Sequence, residues 1–151
     1  MQDHAHVAAG DQVAAEDQRE EQHNADDLKH GLMAVPELSA RMALDGADVI
    51  FMPHASPRGT PDEKRSSWMR HLPARAFDNG VFIVACNQTG DNGAGLSFPG
   101  IAVILGPDGR VMAETTAGTE GLLIADLKTE DLAAVRQHPM RYFLPHRRSD
   151  L

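Results

Sequence analysis

The chain is predicted to be α/β, a mixed sheet covered by helices, on three observations. From Glu37 to Cys86 the pattern runs helix, strand, helix, strand, the alternation that joins parallel strands through helical crossovers. The two strands, residues 48–52 (DVIFM) and 81–86 (VFIVAC), are short and continuously apolar, as in strands covered on both faces. Two further apolar runs, 101–105 and 111–114, flank Gly106-Pro107-Asp108-Gly109, a turn sequence that predicts an antiparallel hairpin.

Each element has its own local signal. Pro36 suits the first turn of a helix over 37–44. Leu38, Met42 and Val35 mark its apolar face, widened by Ala43 and Leu44, and Gly46 ends it. The strand over 48–52 is predicted to stop at Pro53. Thr60-Pro61-Asp62-Glu63 opens the next helix, with Thr60 as N-cap and two acids at the positive end of the helix dipole. Pro73 must kink that helix or divide it, and Asn79-Gly80 stops it. Residues 91–95 (DNGAG) read as a flexible loop, 121–126 (GLLIAD) as a further strand, and 129–137 as a short helix carrying Leu132 and Val135 and ended before Pro139.

Residues 1–30 differ from the rest. They hold eight acids against Arg19 and Lys29, which accounts for −6 of the net charge of −8, and they lack any aromatic residue. Val7, Val13 and Leu28 are too few to make an apolar face. This segment reads as a disordered or weakly helical acidic tail, and residues 31–151 as one domain. His4, His6, His23 and His30 have no matched ligand spacing, so no metal is read into them and no cofactor is implied.

The remaining charge is near neutral and has no basic stripe, which argues against nucleic acid as a partner. No run is long and apolar enough for a membrane span, and no apolar signal segment follows a basic start. A single cysteine, Cys86, excludes an intrachain disulfide and fits a reducing compartment, so the expectation is a cytoplasmic protein without a membrane partner. At the end of an apolar strand, Cys86 is expected to be buried as a small hydrophobe.

Four motifs in order carry a family resemblance. They are Ala43 to Val49 (A-L-D-G-A-D-V), Pro53 to Ala55, Arg75 to Phe82 (R-A-F-D-N-G-V-F) and Asn87 to Gly90. With Phe98-Pro99-Gly100, Gly106 to Gly109, Arg141 to Leu144 and Arg147-Arg148, they resemble the C-terminal half of the nitrilase, or carbon–nitrogen hydrolase, superfamily. The likeness covers residues 31–151. It implies part of an αββα sandwich, two facing sheets covered by helices. It also implies hydrolysis of amide, nitrile or N-carbamoyl C–N bonds by a cysteine nucleophile, a glutamate base and a lysine that stabilises the developing charge.

Within this chain those three groups are not found in their family contexts. The family cysteine precedes an F-P-E that opens the helix. Here Val35-Pro36-Glu37 stands there, and the cysteine position falls at His30. No catalytic residue is therefore assigned. The resemblance places His54 and Ser56 in a loop bordering the substrate pocket, with Arg58, Trp68 and Arg70 at its mouth. Asp78, Asn79 and Asn87 are expected to tie helix and strand ends together. Two expectations follow: a carbon–nitrogen hydrolase by lineage, active when another chain supplies the missing groups, or a truncated, non-catalytic remnant or subunit that binds an intact homologue. A partial sandwich also leaves strand edges and an apolar sheet face exposed, which favours association with other copies or with such a homologue.

Overall fold

The computed structural model of the protein describes residues 35–57, 59–140 and 146. The acidic tail with its histidines, the His30 position, Arg58 and the Arg141–Arg148 motif residues other than His146 lie outside the described residues.

Helix α1 (Pro36–Leu44) begins on a proline and ends in paired C-terminal bonds, Gly46 N–H to Ala43 O and Ala47 N–H to Met42 O. Gly46 takes φ +98°, which a side chain at this turn would resist. The buried face shares Ala43 with the predicted one and otherwise differs from it. Ser39, Ala40 and Ala43 face inward, while Val35, Leu38 and Met42 are exposed. Small residues let α1 approach the helix over Leu72–Asn79 closely, and that contact decides which face is buried.

Strand β1 (Val49–His54) runs through Pro53 rather than stopping there. β1 is an edge strand, where a residue without an N–H costs least. Helix α2 (Pro61–Trp68) starts at a complete capping box: Glu63 N–H donates to Thr60 Oγ1 at 3.2 Å, and Thr60 N–H donates to Glu63 Oε2 at 2.8 Å. The long helical pattern is indeed divided. Helix α3 (Leu72–Asn79) begins afresh with Pro73 in its first turn and stops at left-handed Gly80.

Strand β2 (Phe82–Asn87) lies parallel to β1, with His54 opposite Asn87. Strands β3 (Thr89–Asp91) and β4 (Ser97–Pro99) form a hairpin whose connecting loop, 92–96, holds most of the expected loop 91–95. Asn92 Oδ1 accepts from the N–H groups of Ala94 and Leu96, which fixes the bend between them. Strands β5 (Ala102–Leu105) and β6 (Val111–Thr115) form the predicted antiparallel pair, with a register irregularity at Ile104/Leu105. The sheet order is β1-β2-β5-β6.

One face of this mixed sheet carries the core. Ile50, Met52, Ile83, Ala85, Val103 and Leu105 pack with Trp68, Leu72 and Ala76 from the helices. Helix α4 (Thr129–Arg136) is fastened where β1 and β2 begin: Arg136 donates to Asp48 Oδ1 at 2.6 Å and to Gly80 O at 3.1 Å. Alternation turns Phe51, Pro53, Val84 and Cys86 to the opposite face. There Phe51 is 67% exposed, and Pro53 and Cys86 are exposed too. Cys86 is thus not the buried hydrophobe expected of it. The sheet is covered by helices on one face and partly bare on the other.

One predicted strand does not form. Among the described residues 121–126 make no ladder with a neighbour, and Leu122 and Ile124 are 92% and 80% exposed. A strand needs a pairing partner, and apolar alternation alone does not supply one.

Candidate active site

The carboxyl ends of the parallel strands β1 and β2, where α/β proteins place ligands, bring together His54, Ser56 and Asn87. His54 ends β1 and Asn87 ends β2. Beyond β1, the chain turns through Ser56 to the cap of α2. Asn87 holds that turn by both halves of its amide. Ser56 N–H donates to Asn87 Oδ1 at 2.9 Å, and Asn87 Nδ2 donates to Ser56 O at 3.0 Å. Gln88 N–H donates to His54 O at 2.9 Å and extends the pairing. Asn79 has a more local task, donating to Arg75 O one turn back in α3. Asp78 is half-buried in the same helix.

His54, Ser56 and Asn87 are all buried. The His54 ring lies 5.0 Å from the Trp68 ring, tilted by 42°, a contact of offset aromatic type. Trp68 belongs to the core and backs His54, whereas Arg70 is exposed in the turn between α2 and α3.

Lys64 was not singled out, yet it reaches this cluster. Its Nζ donates to Ser56 Oγ at 2.7 Å, and the side chain is buried. Its spacing from Trp68 could have found it: the two are four apart in a helix and so share the inward face. A buried ammonium must be hydrogen-bonded to be tolerated, so Lys64 and Ser56 pin the loop onto α2.

Beside Asn87 the sheet surface opens into a cavity of about 380 Å³. Cys86, Thr89, Ala102, Thr115 and Leu123 are among its walls. The arrangement offers hydroxyl, amide and thiol groups around a concave surface; Asn87 joins it to the Ser56 turn, but His54 and Ser56 do not line it. Residues from four separate strands meet here, which no local sequence pattern encodes.

A mixed sheet of this order, with its loop-bearing strand ends, defines an α/β fold of the nitrilase type. Residues 33–137 match the Carbon-nitrogen hydrolase family, and the chain belongs to it through that family's C-terminal part. Over 102 residues it is 35% identical to 2-oxoglutaramate amidase of Bacillus subtilis, covering 68% of this chain and 37% of that protein. Deaminated glutathione amidase of Synechocystis sp. is 36% identical over 103 residues, covering 68% and 36%. Among solved structures, the C. elegans NitFhit protein superposes with a TM-score of 0.64 at 27% identity, over 78% of this chain and 27% of that one. An amidase of the nitrilase superfamily from Nesterenkonia superposes with a TM-score of 0.60 at 29% identity, over 80% and 39%. The chain thus spans well under half the length of these relatives.

Proposed function

We propose that this chain is the C-terminal part of a carbon–nitrogen hydrolase for small amides, with nitriles and N-carbamoyl compounds as further candidates. The match over residues 33–137 carries the reading. Relatives named as amidases of 2-oxoglutaramate and deaminated glutathione favour an amide bearing a small organic acid. In this reading the His54–Ser56 loop borders the substrate with Arg70 near its mouth, Trp68 backs His54 from the core, and Asn87 and Lys64 hold the loop in place. The nucleophile, base and charge-stabilising lysine are not assigned within residues 31–151, and the family cysteine position falls at His30. Residues 1–151 alone are inactive, in a reducing, cytoplasmic setting.

Cys86 is the one feature that favours a second reading, a rebuilt site, because the thiol is exposed in a cavity. The test is ammonia release from a nitrile, a primary amide and an N-carbamoyl amino acid by the purified chain and by Cys86→Ala. No turnover by either supports the proposal. Turnover abolished by Cys86→Ala assigns the nucleophile to Cys86 and overturns the statement that the chain is inactive alone.

A further inference from the structure

The tripeptide Asp-Asn-Gly occurs twice, at residues 78–80 and 91–93, and the fold treats the two copies differently. An asparagine before glycine is open to attack on its own side chain, because the following N–H has no neighbouring Cβ to obstruct it. Asn79 closes helix α3 and is 1% exposed. Its Nδ2 donates to Arg75 O at 2.8 Å, and Gly80 N–H donates to Phe77 O at 3.4 Å. Leaving nitrogen and attacking nitrogen are both engaged there, away from water. Asn92 instead lies exposed in the loop between β3 and β4. Gly93 N–H donates to Asp91 Oδ1 at 2.6 Å, so a carboxylate sits on the atom that must lose a proton. Asn92 Oδ1 accepts from Ala94 N–H at 2.9 Å and from Leu96 N–H at 3.1 Å. These are two donors on the oxygen that gains negative charge during attack. Asn92 Nδ2, the leaving nitrogen, donates no hydrogen bond among the described residues.

We propose that Asn92 is a self-modification site, converted in the folded chain to aspartate and isoaspartate while Asn79 is spared. The Gly93 nitrogen attacks Asn92 Cγ, and its proton passes to the Asp91 carboxylate. A C–N bond forms, and the oxyanion at Oδ1 is held by the two N–H groups. The Cγ–Nδ2 bond then breaks, and the nitrogen leaves as ammonia with the proton returned from Asp91. Water opens the resulting five-membered succinimide at either carbonyl. The net change consumes one water and releases one ammonia, with no redox step. The product sets a new carboxylate beside Asp91, and the isoaspartyl form lengthens the backbone by a methylene. Both changes act on the bend that pairs Asp91 with Ser97 and Gly90 with Phe98. The hairpin, which leaves Asn87 through Gln88, therefore carries a chemical clock set by its own loop. This inference does not depend on the functional reading above.

The test incubates the purified chain at mildly alkaline pH without substrate. Peptide mass mapping follows each asparagine, and an isoaspartyl methyltransferase labels any isoaspartate. The expected result is conversion and labelling at 92, with Asn79 unchanged. Ammonia should rise to one equivalent per chain and stop, unlike the continuing release that turnover of an added amide would give. In guanidinium chloride both asparagines should convert at similar rates, because the same tripeptide then meets the same surroundings. Similar rates at 79 and 92 in the folded chain overturn the proposal. So does an Asn92 that converts only when the chain is denatured. Asp91→Ala, with folding checked by thermal melts, should slow conversion at 92 several-fold in the folded chain and much less in denaturant. An unchanged or faster rate in that folded variant overturns the role given to Asp91. Asn92→Ser should abolish both the labelling and the ammonia. Labelling that persists in Asn92→Ser overturns the assignment of the site.

Discussion

Asn87 grips Ser56 by both of its backbone groups, across 31 residues of chain. One amide side chain at the end of β2 thereby reproduces the pairing that another strand residue would give. It carries the geometry of β1 into a loop that would otherwise be free to move. Asn87→Ala leaves a buried N–H and a buried C=O of Ser56 without these partners, at a cost of about 2–4 kcal/mol. Chemical denaturation measures that loss. Asn87→Asp keeps the acceptor but sets a carboxylate against Ser56 O, so it should not rescue.

Ser56 and Lys64 give an asymmetric pair of variants. Ser56→Ala removes the hydroxyl that accepts from a buried ammonium, and about 1–3 kcal/mol is expected to be lost. Lys64→Met removes the charge and keeps an apolar stem of similar length, so it should cost less. A double-mutant cycle on the two positions isolates their coupling. Equal losses from both single variants would contradict this assignment of the cost.

The cap of α2 predicts a pH dependence. Thr60 holds the Glu63 carboxyl below its ordinary 4.5, first through the backbone N–H and then through the side chain. A lowered folded value favours the folded state above the unfolded value, and that contribution fades as pH falls through the folded one. The loss therefore begins near 4.5 and continues below it. Thermal melts across this range should show the acid-side decline reduced in Glu63→Gln. Separately, Thr60→Ala should cost about 1 kcal/mol at neutral pH, the usual worth of an N-cap.

Gly100 tests the join between β4 and β5. It takes φ +59°, and a Cβ there would lie 2.5 Å from Thr89 Oγ1 and 3.2 Å from the Gly118 carbonyl carbon. Thr89 Oγ1 itself donates to Gly118 O at 2.7 Å. Gly100→Ala must displace this contact and adopt a left-handed backbone, so a loss of about 1–3 kcal/mol is expected. Combining it with Thr89→Ala, which removes Oγ1 but leaves Cβ 2.6 Å from the new methyl group, should recover only part of the deficit, because the backbone strain also remains.

Local signals in the sequence located the elements of the sheet and its helices. Thr60-Pro61 through Glu63 encodes its own cap, Pro73 divides α2 from α3, and Gly106 to Gly109 sets the β5–β6 turn. Each acts within a few residues, where backbone sterics and short hydrogen bonds dominate. Order along the chain also brought out the family motifs, and with them His54, Ser56 and Asn87 as singled-out residues.

Only tertiary structure decided which faces are covered. Leu38 and Met42 have the spacing of a buried stripe on α1, but close approach to α3 selected Ser39 and Ala40 beside the expected Ala43. Cys86 looked buried because its strand is apolar, yet alternation set it on the bare side. Residues 121–126 have the pattern of a strand and pair with no strand among the described residues. In each case the sequence determined a local conformation, whereas burial and pairing depend on what a distant segment brings alongside, and that is a property of packing rather than of any short stretch of chain.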